Sequence, residues 1–146
     1  MILNLSSSDE DAFQPKLLNP QMLAFVGDTV VDLIVRERLC RQANPPRNPH
    51  IAAARIVSAK AQAVAMERML PHLTEEENTF YRRGKNAKPK SVPHGASKTE
   101  YRIATGLETL FGWLYFTNQM QRIAELAVFL TELDDGAIQQ TDCIAY

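Results

Sequence analysis

A nearly uninterrupted apolar run over residues 22–35, MLAFVGDTVVDLIV, constrains the fold of this chain most strongly. A segment that is apolar on every helical face is typical of a helix buried in a protein core. Asp28 lies in the middle of this run. Because an ionised carboxylate is costly to bury without a partner, Asp28 requires either a bound metal ion or a buried ion pair.

A second apolar segment, over residues 104–116, repeats this pattern with one carboxylate, Glu108, near its centre. Gly106 and Gly112 flank Glu108, and another glycine directly precedes Asp28. Glycine inside a helix costs about 1 kcal/mol relative to alanine, so three glycines beside two acids predict a close approach of two helix backbones. Such an approach would bring the two acids together as hard oxygen ligands for magnesium or manganese.

The alternative to a metal site is an ion pair for each acid. Arg36 lies two turns along from Asp28, whereas Asp32 and Arg36 have the i,i+4 spacing of a helical salt bridge, so we assign Asp32 to that pair. Arg102 or Lys98 could neutralise the second acid. The residues alone leave both interpretations open, and the recurrence of one isolated acid on each of two apolar helices favours the metal.

Basic side chains are concentrated in one stretch of a chain whose formal net charge is −1, and the one acid between residues 82 and 102 is Glu100. Clustered Lys and Arg around a loop, predicted here over residues 85–97, are typical of contacts to nucleic-acid phosphates, although an isolated basic loop is more often simply solvated. This loop has few aromatic residues that could stack on unpaired bases, which favours a duplex ligand. The candidate nucleic-acid-binding residues are Arg82, Arg83, Lys85, Lys88 and, on a neighbouring predicted helix, Lys60.

The remaining pattern predicts an all-α chain, because no window alternates with period two. Asn19 and Pro20 predict the start of a helix that runs to about residue 41, and a second helix follows over about residues 50–69. A capping box at Thr74 and Glu77 opens a third helix that ends at Gly84. Helices over about residues 98–116 and 118–133 complete one domain, residues 19–133, between a flexible arm, 1–18, and a tail, 134–146.

Composition limits the setting in which the chain works. Its 146 residues, 45% of them hydrophobic, suffice for one domain with a core. Cys40 and Cys143 are far apart, which predicts a reducing cytoplasm rather than a disulfide framework. No apolar run reaches the roughly 18 residues that a membrane span needs, and the first residues do not resemble a signal peptide.

The two acidic segments resemble a known family. LAFVGDTVV at residues 23–31 resembles the signature helix of the ribonuclease III catalytic domain, and TGLETLFGWLY at residues 105–115 resembles its second acidic motif. RRGKNAK at residues 82–88 and EYRIATG at residues 100–106 resemble the Mini-ribonuclease III subfamily. The resemblance covers residues 19–133, and the chain length leaves no room for a separate double-stranded-RNA-binding domain.

This resemblance implies a ribonuclease III endonuclease-domain-like helical bundle that acts as a homodimer. The implied activity is magnesium-dependent cleavage of double-stranded RNA into short staggered ends, with manganese as an alternative ion. The implied substrate is precursor large-subunit (23S) ribosomal RNA. By position, Asp28 and Glu108 match the family's metal-binding and catalytic acids.

The chain departs from the full-length enzymes of the family at two positions. Ala24 stands where they usually have a glutamate, and Thr105 where they usually have an aspartate. Fewer carboxylates imply looser, more water-rich metal coordination and put a two-metal arrangement in doubt. The same losses support an alternative function as a non-catalytic double-stranded-RNA-binding module of this fold. A helical interaction protein without an RNA partner is a third interpretation.

Overall fold

A computed structural model describes residues 13–89, 94–95 and 97–131 of this chain. All secondary-structure elements among these residues are helices, which confirms the predicted all-α class. None of the described helices is both long and apolar enough to cross a lipid bilayer. The α-helices are α1 (Pro20–Arg41), α2 (Pro49–Ile56), α3 (Ala59–Met69), α4 (Glu75–Asn86), α5 (Lys98–Phe116) and α6 (Met120–Thr131), with short 3-10 turns at Pro15–Leu17 and Leu70–His72.

Helix α1 begins as the sequence predicts. The side chain of Asn19 accepts a hydrogen bond from the Gln21 N–H at 2.9 Å, and a proline occupies the first turn. The prediction that this helix is buried on every face is wrong, because Met22, Phe25 and Leu33 are 54%, 73% and 55% exposed. Only the opposite face, which carries fully buried leucine and valine side chains, faces the core of this chain.

Helix α5 is the centre of the bundle. Leu107, Leu110, Phe111 and Leu114 are completely buried, and α1, α3 and α4 all pack against this helix. Ser97 caps it in a capping box with the N–H and carboxylate of Glu100. Residues of α5 therefore lie between several elements at once.

The prediction of a single helix over residues 50–69 is wrong, because Val57 and Ser58 separate two helices, α2 and α3. Ser58 accepts a hydrogen bond from the Ala61 N–H and so starts a new helix with its own cap. The alanine-rich composition did not indicate this break. Serine is neutral in a long helical pattern and acts as a cap only when the backbone turns at it.

Helix α4 opens with the predicted capping box of Thr74 and Glu77. Glu77 is 3% exposed and pairs with Arg122 of α6, whose Nε lies 2.7 Å from Glu77 Oε1. The predicted end of this helix at Gly84 is wrong, because the helix continues to Asn86. Gly84 is instead a contact point with α5, because an added Cβ would lie 2.8 Å from the Thr105 carbonyl oxygen.

The last residues of the predicted N-terminal arm lie against α4. Lys16 forms an ion pair with Glu76 at 3.2 Å, and Arg83 donates to the carbonyl oxygens of Lys16 and Leu18 at 3.0 and 2.8 Å. Residues 1–12 of that arm and the predicted tail, 134–146, lie outside the described residues. The domain boundaries proposed from the sequence therefore stay predictions.

Candidate active site

One pocket contains both isolated acids. It has a volume of about 340 Å³ and lies between α1, the end of α4 and α5. Asp28 and Glu108 line it, together with the two positions where the sequence departs from the full-length family pattern, Ala24 and Thr105. The sequence motifs from two distant segments therefore converge on one site.

Glycines bring the two acids together. An added Cβ on Gly27 would overlap the carbonyl oxygen of Glu108 and lie 2.8 Å from the Gly112 nitrogen. A Cβ on Gly112 would in turn overlap the Leu23 carbonyl oxygen. The backbones of α1 and α5 are thus in direct contact beside Asp28, as the glycine pattern predicts.

Asp28 is exposed, so the sequence-based expectation of a buried carboxylate is wrong at this position. Partial desolvation and, secondarily, the charge of Asp32 raise its pKa above the ordinary value. The predicted Asp32–Arg36 pair is confirmed, with 2.6 Å between Arg36 Nε and Asp32 Oδ2. Within the described residues Asp28 forms no ion pair, so the ion-pair alternative is not supported for Asp28 by this part of the chain.

Glu108 is partly buried, and its pKa is raised to about 7. Burial is the main cause and the charge of Asp28 adds to it, whereas a hydrogen bond from Gln62 acts in the opposite direction. Neither basic candidate neutralises Glu108 in the described part of the chain: Arg102 donates to the Lys85 carbonyl oxygen at 2.9 Å. Among the residues with described positions, Glu108 therefore has no ion-pair partner.

The donor set of the pocket fits a magnesium or manganese ion with few protein ligands. Asp28 and Glu108 supply hard carboxylate oxygens. Their negative charges repel each other, and a cation bound between them would relieve this repulsion. Among the described residues, no group of three or more His, Cys, Asp or Glu side chains is arranged to hold a metal ion, so water or substrate oxygens would fill the remaining positions. Ala24 and Thr105 also line this pocket, but neither side chain carries a carboxylate.

Two basic residues, Lys88 and Arg102, line the pocket beside the acids. Lys88 is exposed, and its backbone carbonyl accepts a hydrogen bond from Gln21 Nε2 at 2.8 Å, which ties the segment after α4 to α1. Arg102 is held through Nε by the Lys85 carbonyl. Two acids suit a divalent cation, and two basic residues in the same pocket suit the charge of a phosphodiester.

The other predicted nucleic-acid-binding residues lie outside this pocket. Arg82 and Lys60 are exposed, on α4 and α3. Lys85 is half-buried, with Nζ 5.8 Å from the centre of the Tyr81 ring. Arg83 is also half-buried; it lies over the Phe80 ring and holds the backbone of residues 16–18. These contacts favour a structural role for Arg83, and an RNA contact by it stays a prediction.

Two glutamines hold the site although no sequence motif indicated them. Gln21 fixes the position of Lys88, and Gln62 donates to Glu108 Oε1 at 3.3 Å. Both act through contacts between residues far apart in the chain. The one available signal was a polar residue, Gln62, within an alanine-rich amphipathic helix.

Comparisons with known proteins agree with this geometry. The Ribonuclease III domain matches residues 21–119. The chain is 41% identical over 119 residues to Mini-ribonuclease 3 from Thermoanaerobacter sp., covering 79% of this chain and 84% of the relative. It is 44% identical over 114 residues to Mini-ribonuclease 3 from Enterococcus faecalis, covering 76% and 86%.

The fold also matches a solved structure. A protein from Fusobacterium nucleatum of known crystal structure superposes with a TM-score of 0.69 at 25% identity, over 77% of this chain and 90% of that protein. Sequence, fold and the pairing of the two acids therefore agree, and the chain belongs to the ribonuclease III family of endoribonucleases.

Proposed function

We propose that this chain cleaves double-stranded RNA with the help of a divalent cation, by preference magnesium, with manganese as an alternative. The observation that carries the proposal is one pocket lined by two carboxylates, Asp28 and Glu108, that form no ion pair with any residue the structure describes. Lys88 and Arg102 line the same pocket. Ribonuclease III family membership supplies the reaction class, and the pocket supplies the groups that the reaction needs.

Asp28 and Glu108 would hold the cation. A magnesium ion bound there supplies a water of lowered pKa and charge stabilisation for the phosphate that is attacked. The carboxylates fix the position of the reacting groups relative to α1 and α5, whose backbones touch at Gly27 and Gly112. This contact keeps the spacing of the two carboxylates independent of loop motion.

The basic side chains would bind the phosphate backbone of the duplex. Lys88 and Arg102 line the pocket and would contact phosphates next to the cleaved bond. Arg82, Lys85 and Lys60 lie outside it and would contribute a more distant, salt-dependent attraction. Arg83 would act indirectly, by holding the chain segment that precedes α1.

We further propose that the active form is a homodimer in which each subunit cuts one strand. Met22, Phe25 and Leu33 share one face of α1 and remain exposed in the single chain, and apolar side chains grouped in this way are typical of a subunit interface. The face adjoins the pocket, since Phe25 also lines it. A second copy on this face would place two pockets on one assembly.

For the cellular substrate we propose precursor 23S ribosomal RNA, processed in the cytoplasm. The resemblance of residues 82–88 and 100–106 to the Mini-ribonuclease III subfamily supports this choice. The free, exposed Cys40 suits a reducing compartment.

Cleavage of a labelled RNA duplex tests the proposed activity directly. We expect the wild-type protein to cut the duplex in magnesium, to leave either separated strand intact, and to stop when the cation is chelated. Binding without cutting in every divalent cation would instead support the non-catalytic binding module, which the neutral residues at positions 24 and 105 favour. An absence of both binding and cutting would contradict both functions.

A further inference from the structure

Gln62 is a buried polar residue directly behind the pocket. It lies in the first turn of α3, is 2% exposed, and does not line the pocket itself. Its Nε2 donates to the Val57 carbonyl oxygen at 2.9 Å and to Glu108 Oε1 at 3.3 Å. The Val57 carbonyl can only accept a hydrogen bond, so the amide nitrogen, and not the amide oxygen, has to face it. The same nitrogen then donates to the ionised Glu108 carboxylate.

The break between α2 and α3 makes this arrangement possible. In a continuous helix the Val57 carbonyl would accept from the Ala61 N–H, but here that N–H donates to the Ser58 hydroxyl at 3.2 Å. The Val57 carbonyl therefore accepts from the Gln62 side chain. The cap that starts α3 thus leaves an acceptor that fixes the rotation of the Gln62 amide.

The amide of Gln62 is kept at an energetic cost. Its Oε1 atom is buried and has no hydrogen-bond partner in the part of the chain that the structure describes. A methionine of similar length would fill the same space without an unsatisfied oxygen. The amide therefore contributes its two donors rather than its packing alone.

We propose that Gln62 is a positioning residue that orients the Glu108 carboxylate as a ligand for the divalent cation. Its N–H fixes one carboxylate oxygen, Oε1, so that the carboxylate holds a single orientation toward the pocket before the cation binds. Partners of this kind behind a metal ligand set the ligand's orientation and raise metal affinity. The inference rests on the proposed function, because it requires that Glu108 bind a cation.

Binding of manganese alone to the full chain, measured by titration calorimetry without RNA, tests this role. We expect Gln62→Met to weaken manganese binding by about 10-fold or more, the range typical when such a partner is lost. The melting temperature without metal should change little, because the loss of the donor to the Val57 carbonyl offsets the removal of the unsatisfied Oε1 atom. In cleavage assays kcat should fall, while KM for duplex RNA stays within about twofold.

A second variant keeps the inference testable if Gln62→Met does not fold. Gln62→Asn keeps the amide but is one methylene shorter, so it cannot reach both Val57 and Glu108, and it should weaken manganese binding in the same way. Wild-type affinity in the folded variant would overturn the positioning role while leaving the proposed function intact, provided that Asp28→Asn abolishes manganese binding. If the wild-type protein binds no manganese, the proposed function and this inference fail together.

Discussion

Gly27 of α1 lies against the main-chain carbonyl of Glu108 in α5, so closely that an added Cβ would overlap the carbonyl oxygen. The obstacle is backbone and cannot rotate away, unlike the end of a flexible side chain. The separation of the two acid-bearing helices therefore depends on the absence of a side chain at Gly27 and, from the other helix, at Gly112.

Replacement of Gly27 by alanine should separate these helices. We expect Gly27→Ala to lower the free energy of unfolding by about 1–3 kcal/mol or more, because the new methyl group overpacks the contact. Urea denaturation measures this change. Alanine is normally favoured over glycine in a helix by about 1 kcal/mol, so a more stable variant would mean that the contact is not tight.

Arg82 and Arg83 are adjacent but should respond differently to truncation. Arg83→Ala should lower stability by about 1–3 kcal/mol, because it removes two hydrogen bonds from a charged group to the Lys16 and Leu18 carbonyls. Arg82→Ala should leave stability unchanged and reduce the salt dependence of duplex-RNA binding by about one phosphate contact. Urea denaturation and binding measured at several salt concentrations separate the two effects. An unchanged salt slope for Arg82→Ala would remove this residue from the RNA-binding surface.

The pKa of Glu108, raised to about 7 by burial and by the charge of Asp28, makes stability depend on pH. The folded state then binds a proton more readily than the unfolded state, so the free energy of unfolding falls as pH rises from about 4.5 to about 7. In a chelator, Glu108→Gln should be more stable than wild type at pH 8, by at most about 3 kcal/mol, and equally stable near pH 4.

Magnesium should reverse this difference. At pH 8 it should stabilise the wild-type protein, whose carboxylates would share the ion, and leave Glu108→Gln nearly unaffected. Thermal denaturation at both pH values, with and without the ion, measures both effects. A stability difference that is the same at pH 4 and pH 8 would show that Glu108 does not carry the predicted shift.

The exposed face of α1 predicts a change of oligomeric state on substitution. Leu33→Glu should convert the proposed dimer to a monomer at micromolar concentration, because it puts a charge in an apolar interface. Val128→Glu on α6, a different helix, where the apolar side chain is 44% exposed, is the matched control and should leave the mass unchanged. Light scattering reports the mass. A wild-type protein that is already monomeric at this concentration would contradict the dimer.

The sequence predicted the elements that local rules control. The caps at Asn19 and Thr74 and the Asp32–Arg36 pair depend on short-range spacing. The convergence of the two acidic segments depends on glycines, which are costly inside a helix unless another backbone has to come close. The two acids could therefore be assigned to one pocket from the sequence alone.

Other features depend on contacts that no spacing reveals. The exposure of Asp28 could not be predicted, because an apolar helix face is the same in sequence whether it meets its own core or another surface. The anchoring role of Arg83 and the contact from Gln62 to Glu108 each join residues dozens of positions apart. Basic residues close in sequence consequently looked equivalent, although their surroundings differ.

Asp28 and Asp32 offer the most direct test of the central claim, since they are one turn apart on α1 and only Asp28 lines the pocket. Each is changed to asparagine, and cleavage of duplex RNA in magnesium is measured beside the folded state and mass of each variant. We predict that Asp28→Asn abolishes cleavage with fold and mass intact, while Asp32→Asn keeps nearly full activity. Full cleavage by a folded Asp28→Asn protein would contradict the assignment of this pocket as the catalytic, cation-binding site.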